Sequence, residues 1–118
     1  MIRPSDRRKH KRLNASIPVH FKVKATNKFG NTLICDISGG GIRVMLENFV
    51  PLNTDFVVEF TITDLFQIIT AVGRVVWTKK MPHCERYQLG LEFKEILTRN
   101  QDTINQFIAN KLNSLNPA

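Results

Sequence analysis

The sequence predicts an all-β domain with one terminal helix: a six-stranded antiparallel β-barrel followed by a C-terminal α-helix. Three observations predict it. Between residues 17 and 97 apolar and polar residues alternate with a period of two in about six stretches, which is the signature of half-buried strands. Turn-forming stretches separate them: NKFGN, SGGG, NFVPLNTD and MPHCE. After Leu97 the apolar period becomes helical. Short antiparallel strands with one helix suit a small barrel, because closure removes exposed edges and the helix plugs an open end. At 118 residues the chain is long enough for one domain with an apolar core and too short for two comfortable ones.

The first strand begins at Ile17, where Ile17, Val19, Phe21, Val23 and Ala25 alternate with Pro18, His20, Lys22 and Lys24. In the second, Leu33, Cys35 and Ile37 are expected to point inward. The third resumes at Ile42, Val44 and Leu46 after SGGG, so the two form a hairpin. Phe56, Val58, Phe60 and Ile62 mark a fourth, with Glu59 and Thr61 outward. Residues 67–80, QIITAVGRVVWTKK, are β-rich on both faces and so read as a central strand, with Gly73 placed for a bend or bulge and Trp77 on the face of Val75 and Ala71, as a core or barrel-rim residue or else a stacking surface. Tyr87, Leu89, Leu91 and Phe93 form the last. In the helix, Ile104, Phe107, Ile108, Leu112 and Leu115 share one face, and Thr98 with Gln101 has the form of a capping box.

The formal charge of +7 is unevenly placed. Residues 1–12 hold six Lys/Arg and one Asp, a net +5, which leaves +2 for the remaining 106 residues. The partner of this charge is therefore sought at the N-terminus. Cys35 and Cys84 stand far apart, as do His10, His20 and His83, so no metal-ligand spacing is visible and the cysteines read as reduced thiols. No apolar run approaches the roughly 18 to 20 residues of a membrane span, and the N-terminus has no signal-peptide apolar region. A cytoplasmic location is expected. No Ser/His/Asp or Cys/His arrangement has motif-like spacing, so an enzyme is not expected.

Two stretches carry chemistry. In RRKHKR, Arg8 and Arg12 stand four apart with Arg7 before the first. Guanidinium groups offer planar forks for phosphate oxygens and the guanine O6/N7 edge, and flat faces for stacking. A plain solvated tail would have the same composition. In DISGGG, Ile37 faces the core, so Asp36 and Ser38 project outward, and the following glycines let a ligand approach the backbone. The alternative is a hairpin turn in which Asp36 and Ser38 bond their own backbone and the glycines supply positive φ.

Taken together, R-x-x-x-R at Arg8 and Arg12 and D-x-S-x-x-G at Asp36, Ser38 and Gly41 resemble the PilZ domain family. GRVVWT at 73–78 and YQLGLEF at 87–93 are similar to that family's later strands. The resemblance implies a PilZ-like barrel that binds the bacterial second messenger cyclic di-GMP. Arg8 and Arg12 would grip phosphates and guanine edges, and Asp36, Ser38 and Gly41 would form the barrel side of the site. It further implies that a basic residue at Arg7 selects a stacked pair of ligands, hence two molecules per chain. On this reading residues 1–16 are a flexible basic segment, 17–97 the barrel, and 98–118 the amphipathic helix and tail. Ordering of the segment on the ligand would pass the signal to a protein partner. The competing function is a nucleic-acid-binding barrel with a basic arm. Most phenylalanines fall in phase with core positions rather than between basic residues, so nucleic acid is not the expected partner.

Overall fold

The computed structural model describes residues 11–62 and 66–115. Six strands, β1 (Arg12–Val23), β2 (Phe29–Ser38), β3 (Gly41–Leu46), β4 (Asp55–Ile62), β5 (Gln67–Lys80) and β6 (Tyr87–Ile96), precede one helix, α1 (Thr98–Leu115). The strands close into an antiparallel barrel in the order β1-β2-β3-β6-β5-β4. The predicted architecture is thus observed. Inward residues of every strand, among them Val19, Ile34, Ile42, Phe56, Ile69 and Leu89, meet in one core, joined by Ile104 and Ile108 of α1. Fully burying side chains of this size stabilises by about 1.5–3 kcal/mol each, which is why α1 stays docked.

The local departures have a common cause, the phase of a strand. β1 begins at Arg12, not Ile17: Leu13 and Ala15 already alternate with Arg12, Asn14 and Ser16, and Arg12, Leu13 and Asn14 pair with Ser38, Ile37 and Asp36. In β2, Leu33 is exposed while Ile34 and Ile37 are fully buried. A register shift against β3 between Ile34 and Asp36 inserts one residue and exchanges the two faces. The expected inward set Leu33, Cys35, Ile37 is therefore right only after the bulge. The same happens in β5. Val75 is fully buried, but a register shift between Val75 and Trp77 turns Trp77 outward, where it is 38% exposed. A barrel has no central strand, so the second apolar face of β5 leaves Ile68 and Val76 exposed. The register also shifts between Val72 and Gly73, but the inserted residue there is Lys94 of β6, so the bulge lies opposite Gly73 and not at it.

In α1, Ile104 and Ile108 are buried and Phe107 and Leu112 pack against the core; the side chain of Leu115 lies outside the described residues. The Leu97 carbonyl accepts the N–H groups of Asn100 and Gln101 at 2.9 and 3.0 Å. Gln101, expected to reach back to Thr98, instead donates its amide to the Gly39 carbonyl. No described helix is long and apolar enough to cross a membrane.

Candidate functional site

The β2–β3 hairpin closes through Ser38 opposite Gly41, with Gly39 and Gly40 at the tip. Ser38 is buried, at 4% exposure. Its hydroxyl accepts the Gly40 N–H at 3.1 Å and donates to the Gly41 carbonyl at 3.4 Å. The Gly40 carbonyl in turn accepts the Phe93 N–H of β6 at 2.9 Å. This serine hydroxyl is thus committed to the turn. The hairpin glycines do not supply positive φ, since no described glycine has one. At Gly41 a Cβ would stand 2.2 Å from the Leu91 carbonyl oxygen. Gly41 lets β6 come close, and a ligand is not what occupies that space.

Asp36 lies two residues before Ser38, on the outer surface. Its Oδ1 accepts from Arg12 Nη1 at 3.0 Å and its Oδ2 from Arg43 Nε at 2.8 Å. The Asp36 side chain is 14% exposed, against 37% for Arg12 and 26% for Arg43. Strand register sets this cluster: Asn14, Asp36, Arg43, Gly90 and Trp77 lie side by side across β1, β2, β3, β6 and β5. Arg12 sits one row away, opposite Ser38. One carboxylate between two guanidiniums leaves a net positive surface. Each arginine uses one nitrogen on Asp36, and a guanidinium carries five N–H donors, so both retain donors for an oxyanion.

Arg12, Asp36, Ser38 and Gly41 are therefore gathered around one hairpin. Arg7 and Arg8 lie outside the described residues. Arg43 of β3 is the residue this geometry adds. Its signal was register: it is the residue directly opposite Asp36 once Ser38 is paired with Gly41.

Arg74 of β5, another outward strand arginine, is used elsewhere. Its Nε and Nη2 reach the two carboxylate oxygens of Asp55 at 2.9 and 3.4 Å, and Lys94 Nζ stands 3.7 Å from the same group. The hydrogen bond from Arg74 holds the Asp55 carboxyl below its ordinary value against the opposing effect of desolvation, and raises Arg74 in return. Gly90 accommodates the Trp77 indole, since a Cβ there would meet Trp77 Nε1 at 2.1 Å. Of the phenylalanines, Phe56 and Phe60 are buried and Phe21, Phe93 and Phe107 pack on the core. Phe29, Phe49 and Phe66 are exposed.

No curated protein matches the sequence. Among solved structures the chain is similar to the Bacillus subtilis inhibitor of motility (MotI/DgrA), with a TM-score of 0.78 and 24% identity over 91% of this chain and 52% of that one. It is also similar to the PilZ domain with c-di-GMP of YcgR from Escherichia coli, with a TM-score of 0.67 and 18% identity over 92% of this chain and 93% of that one. A third is the K. pneumonia MrkH–c-di-GMP complex, with a TM-score of 0.72 and 19% identity over 92% and 54% of the two chains. The chain thus spans about half the length of MotI/DgrA and of MrkH. The sequence matches the PilZ domain over residues 6–110, a stretch that takes in the basic cluster, the hairpin, all six strands and most of α1, and the chain belongs to the PilZ domain family.

Proposed function

We propose that this chain is a receptor for cyclic di-GMP and acts as an effector, not an enzyme. The observation that carries the reading is the Arg12–Asp36–Arg43 cluster beside the Ser38–Gly41 hairpin, on the strand that continues the basic segment. Cyclic di-GMP presents phosphates that need cations and guanines that need acceptors and flat partners. Arg12 and Arg43 supply donors, and Asp36 supplies an acceptor for guanine N–H groups. Four residues of extended chain span about 14 Å, so Arg8 is tethered within reach of the same surface. Asp36 already holds Arg12 and Arg43 in place, which lowers the ordering cost of binding.

In this reading Arg7, Arg8 and Arg12 form the N-terminal half of a clamp, with Arg12 already fixed on β1, and Asp36, with the turn built by Ser38 and Gly41, forms the barrel half. Arg7 adds a third guanidinium against the repulsion of four phosphates, so the clamp takes two ligand molecules. Closing the segment onto the barrel changes the surface offered to a protein partner. The protein works in the cytoplasm, where the free Cys35 and Cys84 stay reduced.

Titration calorimetry with cyclic di-GMP, GMP and short oligonucleotides tests this. Saturable binding of cyclic di-GMP at micromolar concentration or below, with GMP much weaker, is expected. Preference for oligonucleotides overturns the reading in favour of a nucleic-acid barrel with a basic arm.

A further inference from the structure

The hairpin tip consists of two residues without side chains, so hydrogen bonds must hold its peptide planes. Two of these bonds come from the barrel: Ser38 Oγ on the Gly40 N–H, and the Phe93 N–H on the Gly40 carbonyl. The third comes from outside it. Gln101, in the first turn of α1, donates its Nε2 to the Gly39 carbonyl at 2.8 Å, across 62 residues of sequence. Its neighbour Asn100 is buried at 6% exposure and accepts from Gln67 Nε2 at 3.5 Å, and Ile104 anchors the next turn in the core. Gln101 is therefore carried on a fixed part of the helix.

We infer that Gln101 is a positioning residue of the ligand site: through the Gly39 carbonyl it sets the orientation of the hairpin tip beside Asp36 and couples that tip to α1. The inference rests on the proposed receptor function and goes beyond it, because it places a determinant of affinity on α1, outside the barrel strands that carry the cluster. The physical argument is that a carbonyl anchored on one side fixes the whole peptide plane, including the Gly40 N–H on its other side. Without the bond, the tip samples other orientations, and ligand binding must select among them. Coupling is reciprocal, so a ligand that orders the tip also strengthens the docking of α1.

The test compares wild type, Gln101→Met, Gln101→Glu and Asn100→Ala, in calorimetry with cyclic di-GMP and in amide hydrogen exchange with and without it. Both Gln101 variants lose the donor at nearly constant size and should bind about threefold to tenfold more weakly. They should also show faster exchange of the Gly40 amide in the empty protein, and ligand should no longer slow exchange in α1. Asn100→Ala removes a neighbouring contact of the helix without touching the tip. It should lower the melting temperature and leave affinity alone. Unchanged affinity and tip exchange in both Gln101 variants overturns the inference, as does an equal loss of affinity in Asn100→Ala, which would make helix docking in general the cause. If wild type fails to bind cyclic di-GMP, the receptor reading falls, and faster Gly40 exchange in the Gln101 variants still establishes the positioning of the tip.

Discussion

Two aspartates on the outside of the barrel each face a pair of cations, and they hold them differently. Asp55 takes both ends of the Arg74 fork, with Lys94 nearby, and so ties β4 to β5 and β6. Asp36 is shared between Arg12 and Arg43 from the two flanking strands, one nitrogen from each. The first arrangement is closed on itself, since two donors of the arginine's fork are matched to two acceptors. The second is open: two guanidiniums are placed by one carboxylate and keep most of their donors. Like composition therefore supports unlike arrangements, a strand clasp at Asp55 and, in the proposed function, an anion platform at Asp36.

Glycine substitutions break this contrast most severely. Each aspartate has a glycine close to its cation: Gly41 beside the Asp36 hairpin and Gly73 before Arg74. A Cβ at Gly41 would meet a backbone carbonyl at 2.2 Å, whereas one at Gly73 would meet the Leu91 Cβ at 3.1 Å. Gly41→Ala should then cost about 3 kcal/mol or more by forcing strands apart, and Gly73→Ala about 1 kcal/mol. Urea denaturation measures both, and equal costs would show that β6 yields at Gly41. Next in size is affinity. Arg12→Ala and Asp36→Ala should each weaken cyclic di-GMP binding roughly tenfold to a hundredfold, the loss of one charge-assisted bond or more, while Arg74→Ala leaves it unchanged in the same titration. An Arg74→Ala protein that binds as poorly as Arg12→Ala erases the distinction.

A finer measurement addresses charge. Arg7→Leu should move the calorimetric stoichiometry from two ligands per chain toward one, with binding that weakens in high salt; a wild-type ratio of one removes the third guanidinium from the clamp. The smallest effect is acid sensitivity at Asp55. Its carboxyl is held below the ordinary 3.8, so its ion pairs stabilise the fold above that pH, and the contribution is lost as pH falls through the lower folded value. The stability difference between wild type and Asp55→Asn should be present above pH 3.8 and vanish in more acidic solution. A difference that persists into strong acid would mean that packing, not charge, makes the clasp.

The architecture was legible because a period of two survives in every strand and a helical period in α1. What periodicity could not show was where the phase slips. Leu33 and Trp77 were misplaced for the same reason: an inserted residue leaves no mark in hydrophobic pattern, only in pairing. The sequence picked out Arg12, Asp36, Ser38 and Gly41 as candidates, and it could not show the geometry that gathers them at one hairpin. Arg12, Asp36 and Ser38 lie close by virtue of β1–β2 register, but Arg43 joins them only through β3, and Gly41 was explained by a neighbour, Leu91, that is 50 positions away.

The slip at Trp77 has an optical consequence. The chain carries a single tryptophan, and the bulge puts its indole outside the barrel over Gly90, whose other neighbour across the sheet is Arg43. Had the alternation continued, this chromophore would be sealed in the core and its emission would report only unfolding. As placed, it is a half-solvated indole one strand removed from the cationic cluster, so a purine arriving at Arg43 comes within quenching range of it. If the proposed ligand binds there, intrinsic emission of the unmodified protein should report it without any added label.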